Sequence, residues 1–181
     1  MRFLYFILVA LFSSHNLKSA DFEILVTGID KLTTYEKISE NHIFMTYENK
    51  LQFTTNTSMF GHGTCSGTLE IINGKNVDNI LCVHVDSYGN KGYFKSMNTD
   101  KTKVIRNMIG ERIGSSVASW KLLNGEGPYK ELSGLVLKGA YYSIGKNKFD
   151  EMNWIFQGKS ENIPDSIIDR VNNYTANNNK D

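Results

Sequence analysis

"TCSGTLEIINGKNVDNILCVHVD", residues 64–86, decides the fold. Two apolar runs, Thr64–Ile72 and Asn79–Asp86, flank Asn73-Gly74. That dipeptide tolerates the positive φ a two-residue hairpin turn requires, so the runs are expected to pair as antiparallel strands. With Asn73 and Gly74 as the turn, Ile72 faces Lys75, and the numbers of facing residues sum to 147, as those of Cys65 and Cys82 do. Cysteines opposed in this way are a disulfide candidate in an oxidising compartment. Closing such a loop stabilises a fold by about 2 to 4 kcal/mol, by restricting the unfolded chain. A turn lying within Lys75–Asn79 would instead move the two cysteines several residues apart.

Short apolar or aromatic runs continue in both directions: 22–28, 42–48, 51–60, 91–97, 103–110, 117–123, 134–144 and 152–158. Turn residues separate them at Tyr88-Gly89-Asn90, Asn124-Gly125 and Gly145-Lys146-Asn147. Strands of this length, spaced by such turns, indicate an all-β barrel or sandwich, and short connections make neighbours antiparallel. A meander that closes on itself removes exposed strand edges. The expected fold is therefore a single antiparallel closed β-barrel of about eight strands.

Beyond Gly158 the texture changes. Pro164-Asp165 is expected to open a short helix with Ile167, Ile168 and Val171 on one apolar stripe. The final NNYTANNNKD is too polar to bury and is expected to be a frayed tail. This divides the chain into 1–20 as a signal peptide, 21–160 as the barrel, and 161–181 as helix and flexible tail.

The first segment carries a charge at Arg2, an apolar run from Phe3 to Phe12 and a small-residue exit at Ser19-Ala20. These are the parts of a secretory signal peptide, and the apolar run is well short of the roughly 20 residues a membrane-spanning helix needs. Lys18 fits poorly three residues before a cut after Ala20, so retention as an uncleaved anchor stays open. Loss of Arg2 and Lys18 takes the net charge from +1 to −1, with lysines and acids interspersed. That balance excludes a dedicated nucleic-acid binder, which needs a basic stripe. A periplasmic or secreted location is expected, with no stable membrane span after cleavage.

The segment "SWKLLNGEGPYKELSGLVLKGAYY" (119–142) resembles the pattern W-x-x-x-x-G-x-G-x-[FY]-x-x-[LI]-x-G of the β-barrel superfamily that contains allene oxide cyclases, dirigent proteins and secreted bacterial proteins. Trp120, Gly125, Gly127, Tyr129, Leu132 and Gly134 occupy the pattern, and Pro128 departs from it. A second shared feature is the strand that ends in Asp86-Ser87-Tyr88-Gly89-Asn90 and re-enters on Tyr93-Phe94. The likeness covers Gly61 to Gly158 and implies a calycin-like closed barrel. It also implies, as one option, a cyclase or isomerase working as an apolar mould. Read physically, Gly125 and Gly127 permit a sharp exit from the sheet, while Tyr129 and Leu132 plug one end of the barrel.

The chemistry-bearing candidates are few. His62, Cys65, Cys82 and His84 form a Cys2His2 set, but His62 lies an odd number of residues from Cys65 and points the other way on a regular strand. No metal site is expected. Asp86–Asn90 has a faint calcium-loop look without the alternating acids such loops use. Asn56 and Asn173 open glycosylation sequons, relevant only to a eukaryotic route. Acid-base candidates are Glu111, beside Arg112, then Glu126 and Asp150-Glu151, with surface residence the plainer expectation for each. No nucleophile elbow, phosphate loop or other cofactor motif is present.

Trp120, Tyr141, Trp154 and Phe156 sit on late strands and are candidates to line a ligand cavity. They can equally fill the interior, and a filled core is the favoured expectation. Two functions follow: a small exported barrel that binds an apolar ligand or a protein partner, or a cyclase or isomerase using an apolar cavity.

Overall fold

The computed structural model describes residues 19–73, 75–97, 105–106, 114–146 and 151–178. Nine strands form one sheet: β1 (Ser19–Ser39), β2 (His42–Thr55), β3 (Phe60–Ile72), β4 (Lys75–Asp86), β5 (Lys91–Met97), β6 (Ile105–Arg106), β7 (Gly114–Gly125), β8 (Val136–Lys146) and β9 (Met152–Pro164). Their order is β5-β4-β3-β2-β1-β9-β8-β7-β6, and a further β5–β7 pairing closes the sheet on itself. Eight strands make the closed antiparallel barrel; β6 adds two residues beside Gly114 and Ser115. The meander thus has no open edge among the eight, as the turn spacing predicts.

The hairpin read first folds as expected. Ile72 faces Lys75, Cys65 faces Cys82, and the two cysteines form a disulfide. Asn73 takes the positive φ of 51° the turn demands. Oxidation of both cysteines removes them as metal ligands, and His62 lies on the exposed outer face while His84 is buried inside.

Several boundaries differ from expectation. Strand β1 runs 21 residues, through Ile29–Ser39, where the sequence shows no apolar alternation because that half is solvent-exposed on nearly every residue. The runs 42–48 and 51–60 are not two strands: β2 is continuous to Thr55, and the turn falls at Asn56–Met59, with Ser58 at φ 60°. Asn124-Gly125 is not a turn either, since Asn124 pairs with Tyr93 and Gly125 with Gly92 inside the ladder. Of the run 103–110 only Ile105–Arg106 lies among the described residues, and Asn147 lies outside them.

The glycine-rich stretch closes one end. After β7 a helical turn, α1 (Pro128–Glu131), carries Pro128 at its start, where a missing N–H is harmless and the fixed φ is already helical. Gly127 (φ 51°) and Gly134 (φ 86°) bracket it. Tyr129 and Leu132 are buried against the core. The phenol ring of Tyr129 lies directly over Gly92 and Gly125, where any Cβ would strike it, and meets Phe94 edge-on at 6.2 Å.

Helix α2 (Asp165–Asn178) seals the same end and reaches further than a frayed tail would allow. Val171 is fully buried and Ile167 and Ile168 pack on the core. Thr175 is buried, its hydroxyl donating to the Asn172 carbonyl at 2.8 Å. Polar contacts tie the helix down: Tyr88 Oη donates to the Thr175 carbonyl (3.1 Å), Tyr174 Oη to Asn90 Oδ1 (3.1 Å), and Arg170 pairs with Glu131 (2.6 Å). Composition misleads here because the polar side chains serve as docking contacts.

A candidate ligand cavity inside the barrel

Alternation along each strand decides what faces the interior. On β1 that set is Phe22, Ile24, Val26, Gly28 and Asp30, and on β4 it is Asp78, Ile80, Cys82 and His84. These side chains leave the interior unfilled: a cavity of about 330 Å³ runs along the barrel axis. The expectation of a filled core is therefore corrected. Small residues account for part of the room, since Ala118, paired across the ladder with Gly139, lines the cavity. Leu32 lines it too and is 48 % exposed, which puts the mouth at the end opposite the helices.

Trp120, Tyr141, Trp154 and Phe156 all line this cavity. Trp154 crosses Gly28, where a side chain would run into the indole, and stacks on Tyr141 at 5.5 Å. Glu111, Arg112 and Asp150 lie outside the described residues. Glu126 is exposed and accepts the Lys91 N–H at 3.3 Å, a contact that supports the β7–α1 turn. Asp86 is likewise structural: its Oδ1 accepts the N–H groups of Tyr88 and Asn90, both at 2.9 Å.

Apart from Tyr141 and His84, the polar residues of the cavity are ones the sequence did not single out. Near the mouth, Tyr141 Oη donates to Asp30 Oδ2 at 3.1 Å, and Tyr47, Asn49 and Asp78 line the same region. Burial pushes the Asp30 carboxyl up to about 6, against the hydrogen bond from Tyr141 and the nearby donors of Asn49 and Trp154, which favour the charged form. Burial also raises Asp78, and it raises both tyrosines, with the Asp30 charge adding to each. Trp154 Nε1 and Asp30 Oδ1 are buried and make no well-formed hydrogen bond among the described residues.

No family model, curated protein or solved structure matches this chain.

Deeper in, His84 is stacked on Phe53 (4.9 Å) and tilted against Phe94 (4.4 Å). Burial alone lowers its pKa to about 3, so the ring is neutral at physiological pH. Cys65 and Cys82 form the wall beside it. The hairpin register carried a signal for this: Asp78, Ile80, Cys82 and His84 alternate on β4, so an inward disulfide forces His84 and Asp78 inward as well.

The two shifted groups oppose each other in acid. A buried neutral His84 lets the unfolded chain bind a proton the native state refuses, so stability present above about 6.5 is lost as pH falls toward about 3. Asp30 has the opposite sign, because its folded pKa is raised: the native state takes a proton the unfolded chain refuses between about 6 and 3.8. The expected result is a wild-type stability nearly flat across that window as far as these two groups go. Asp30→Asn should then lose about 1.4 kcal/mol per pH unit on acidification through it, and adding His84→Phe to that variant should remove the loss. Urea unfolding at a series of pH values checks this; identical slopes for wild type and Asp30→Asn would contradict it.

Proposed function

We propose that the protein is an exported barrel that takes a small, largely apolar molecule into its interior. The observation that carries this is the cavity of about 330 Å³, walled by aliphatic and aromatic side chains with a few convergent polar groups near its mouth. Small-molecule sites have this size and this mixture. The Cys65–Cys82 disulfide supports export, since such bonds persist in the periplasm and outside the cell. Among the described residues no helix is long and apolar enough to cross a membrane.

The closed antiparallel barrel also supports kinship with the allene oxide cyclase and dirigent barrels, through the segment from Trp120 to Gly134. That kinship would concern architecture, which hosts many functions. A second function, acid–base isomerisation or cyclisation of the bound molecule, is favoured by one observation: a cavity carboxyl, Asp30, poised near neutrality beside a phenol.

Native mass spectrometry of the full chain, purified from its own periplasm without reductant, tests the binding role. The expected result is a disulfide-closed chain carrying a small molecule that is released on denaturation. A chain that is always empty and takes up no apolar dye would move the function to the outer face and a protein partner.

A further inference from the structure

The charge pattern of the cavity narrows the ligand. Asp30 is a carboxylate inside an apolar chamber, with Oδ2 engaged by Tyr141 and the buried Oδ1 without a hydrogen-bond partner among the described residues. The groups that face it are Tyr47 and Asn49 from β2, Tyr141 from β8, Trp154 from β9 and Asp78 across the chamber on β4. None of these carries positive charge. No lysine or arginine appears among the described residues that line the cavity. The one basic side chain there, His84, is stacked between two phenyl rings and held neutral.

Two further polar atoms are built into this wall without a well-formed hydrogen bond among the described residues: His84 Nδ1 and Trp154 Nε1, the latter turned toward Asp30. Buried polar atoms are rarely left so, because each such atom costs the desolvation of a hydrogen-bonding group. The rings of Tyr47, Trp120, Tyr141 and Trp154 line the same cavity. Aromatic faces attract a cation, and more so away from water.

We propose that the ligand is a cationic amphiphile, an alkyl- or arylalkylamine whose ammonium group donates to Asp30 while its apolar body lies along the aromatic wall. This rests on the cavity being a ligand site. An anionic headgroup would meet Asp30 with no counter-charge from the lining, and a neutral alcohol would leave the buried carboxylate uncompensated. An ammonium group supplies both the charge and the missing donor.

The test uses the full chain and three probes of equal apolar length, octylamine, octanol and octanoate, each displacing the neutral fluorescent dye N-phenylnaphthylamine. Octylamine should bind at least about tenfold more tightly than octanol at neutral pH, and octanoate more weakly than either. On acidification below about 6, where Asp30 takes up a proton, the affinity for octylamine should fall while that for octanol holds. Asp30→Asn should erase the preference for the amine and keep octanol binding. If that variant does not fold, the wild-type pH profile decides.

Equal affinity for octanol and octylamine, or tightest binding of octanoate, overturns the amine assignment and leaves the cavity as a ligand site. If neither the dye nor any probe enters, the ligand site itself falls, and the amine assignment with it.

Discussion

Replacing Tyr129 by alanine is expected to destabilise the barrel by about 3 to 5 kcal/mol, the usual cost of removing a large buried aromatic. The residue is only 2 % exposed and lies over Gly92 and Gly125, so its loss leaves a hole that backbone at those positions cannot fill. It also removes the edge contact to Phe94 and the floor beneath which α1 and α2 close the barrel. Tyr129→Phe separates packing from hydrogen bonding. The phenol oxygen is buried without a partner among the described residues, so removing it should cost nothing and is expected to stabilise slightly. Urea unfolding reads both variants. A loss below about 1 kcal/mol in the alanine variant would mean that the plug is not part of the core.

Much of this architecture was legible because local chemistry and global fold agree. Asn73-Gly74 set one register, and that register alone paired Cys65 with Cys82. Trp120 through Gly134 announced a chain that leaves the sheet and returns with a plug, and both Tyr129 and Leu132 are buried. What stayed hidden had no local cause to find. The outer half of β1 is held by pairing with β2 rather than by an apolar face, so alternation is silent there. The turn from Asn56 to Met59 lacks glycine and proline, so the run 51–60 reads straight across it, while the polar pair Asn49-Lys50 interrupts the apolar pattern of a continuous β2. Thr175 and Tyr174 are polar residues whose docking partners lie on distant turns, at Thr57, Tyr88 and Asn90.

The site was half legible. Aromatics on late strands pointed inward by parity, and Trp120, Tyr141, Trp154 and Phe156 do line the chamber. Whether such rings fill a barrel or wall a cavity depends on the summed volume of every inward residue, which needs the register of all eight strands. Asp30 carries little local signal for a simpler reason. It follows Phe22, Ile24, Val26 and Gly28 in strict alternation, yet a lone acid after a glycine looks like the end of a strand. Asp78 and His84 were recoverable from the hairpin register that placed Cys82, because all three share one face of β4.

The interior site is tested most directly by filling it. Ala118 lines the chamber, so Ala118→Trp should place an indole in the space a ligand would take. The measurement is equilibrium titration of N-phenylnaphthylamine into the ligand-stripped wild type and into this variant, with thermal unfolding to confirm that both are folded. The wild type should take up the dye with saturation at one site, and the variant should bind it at least about 100-fold more weakly, the loss expected when most apolar contact area becomes unavailable. Saturable uptake of equal strength in both folded proteins would contradict the account, because the dye would then be bound somewhere other than the barrel interior.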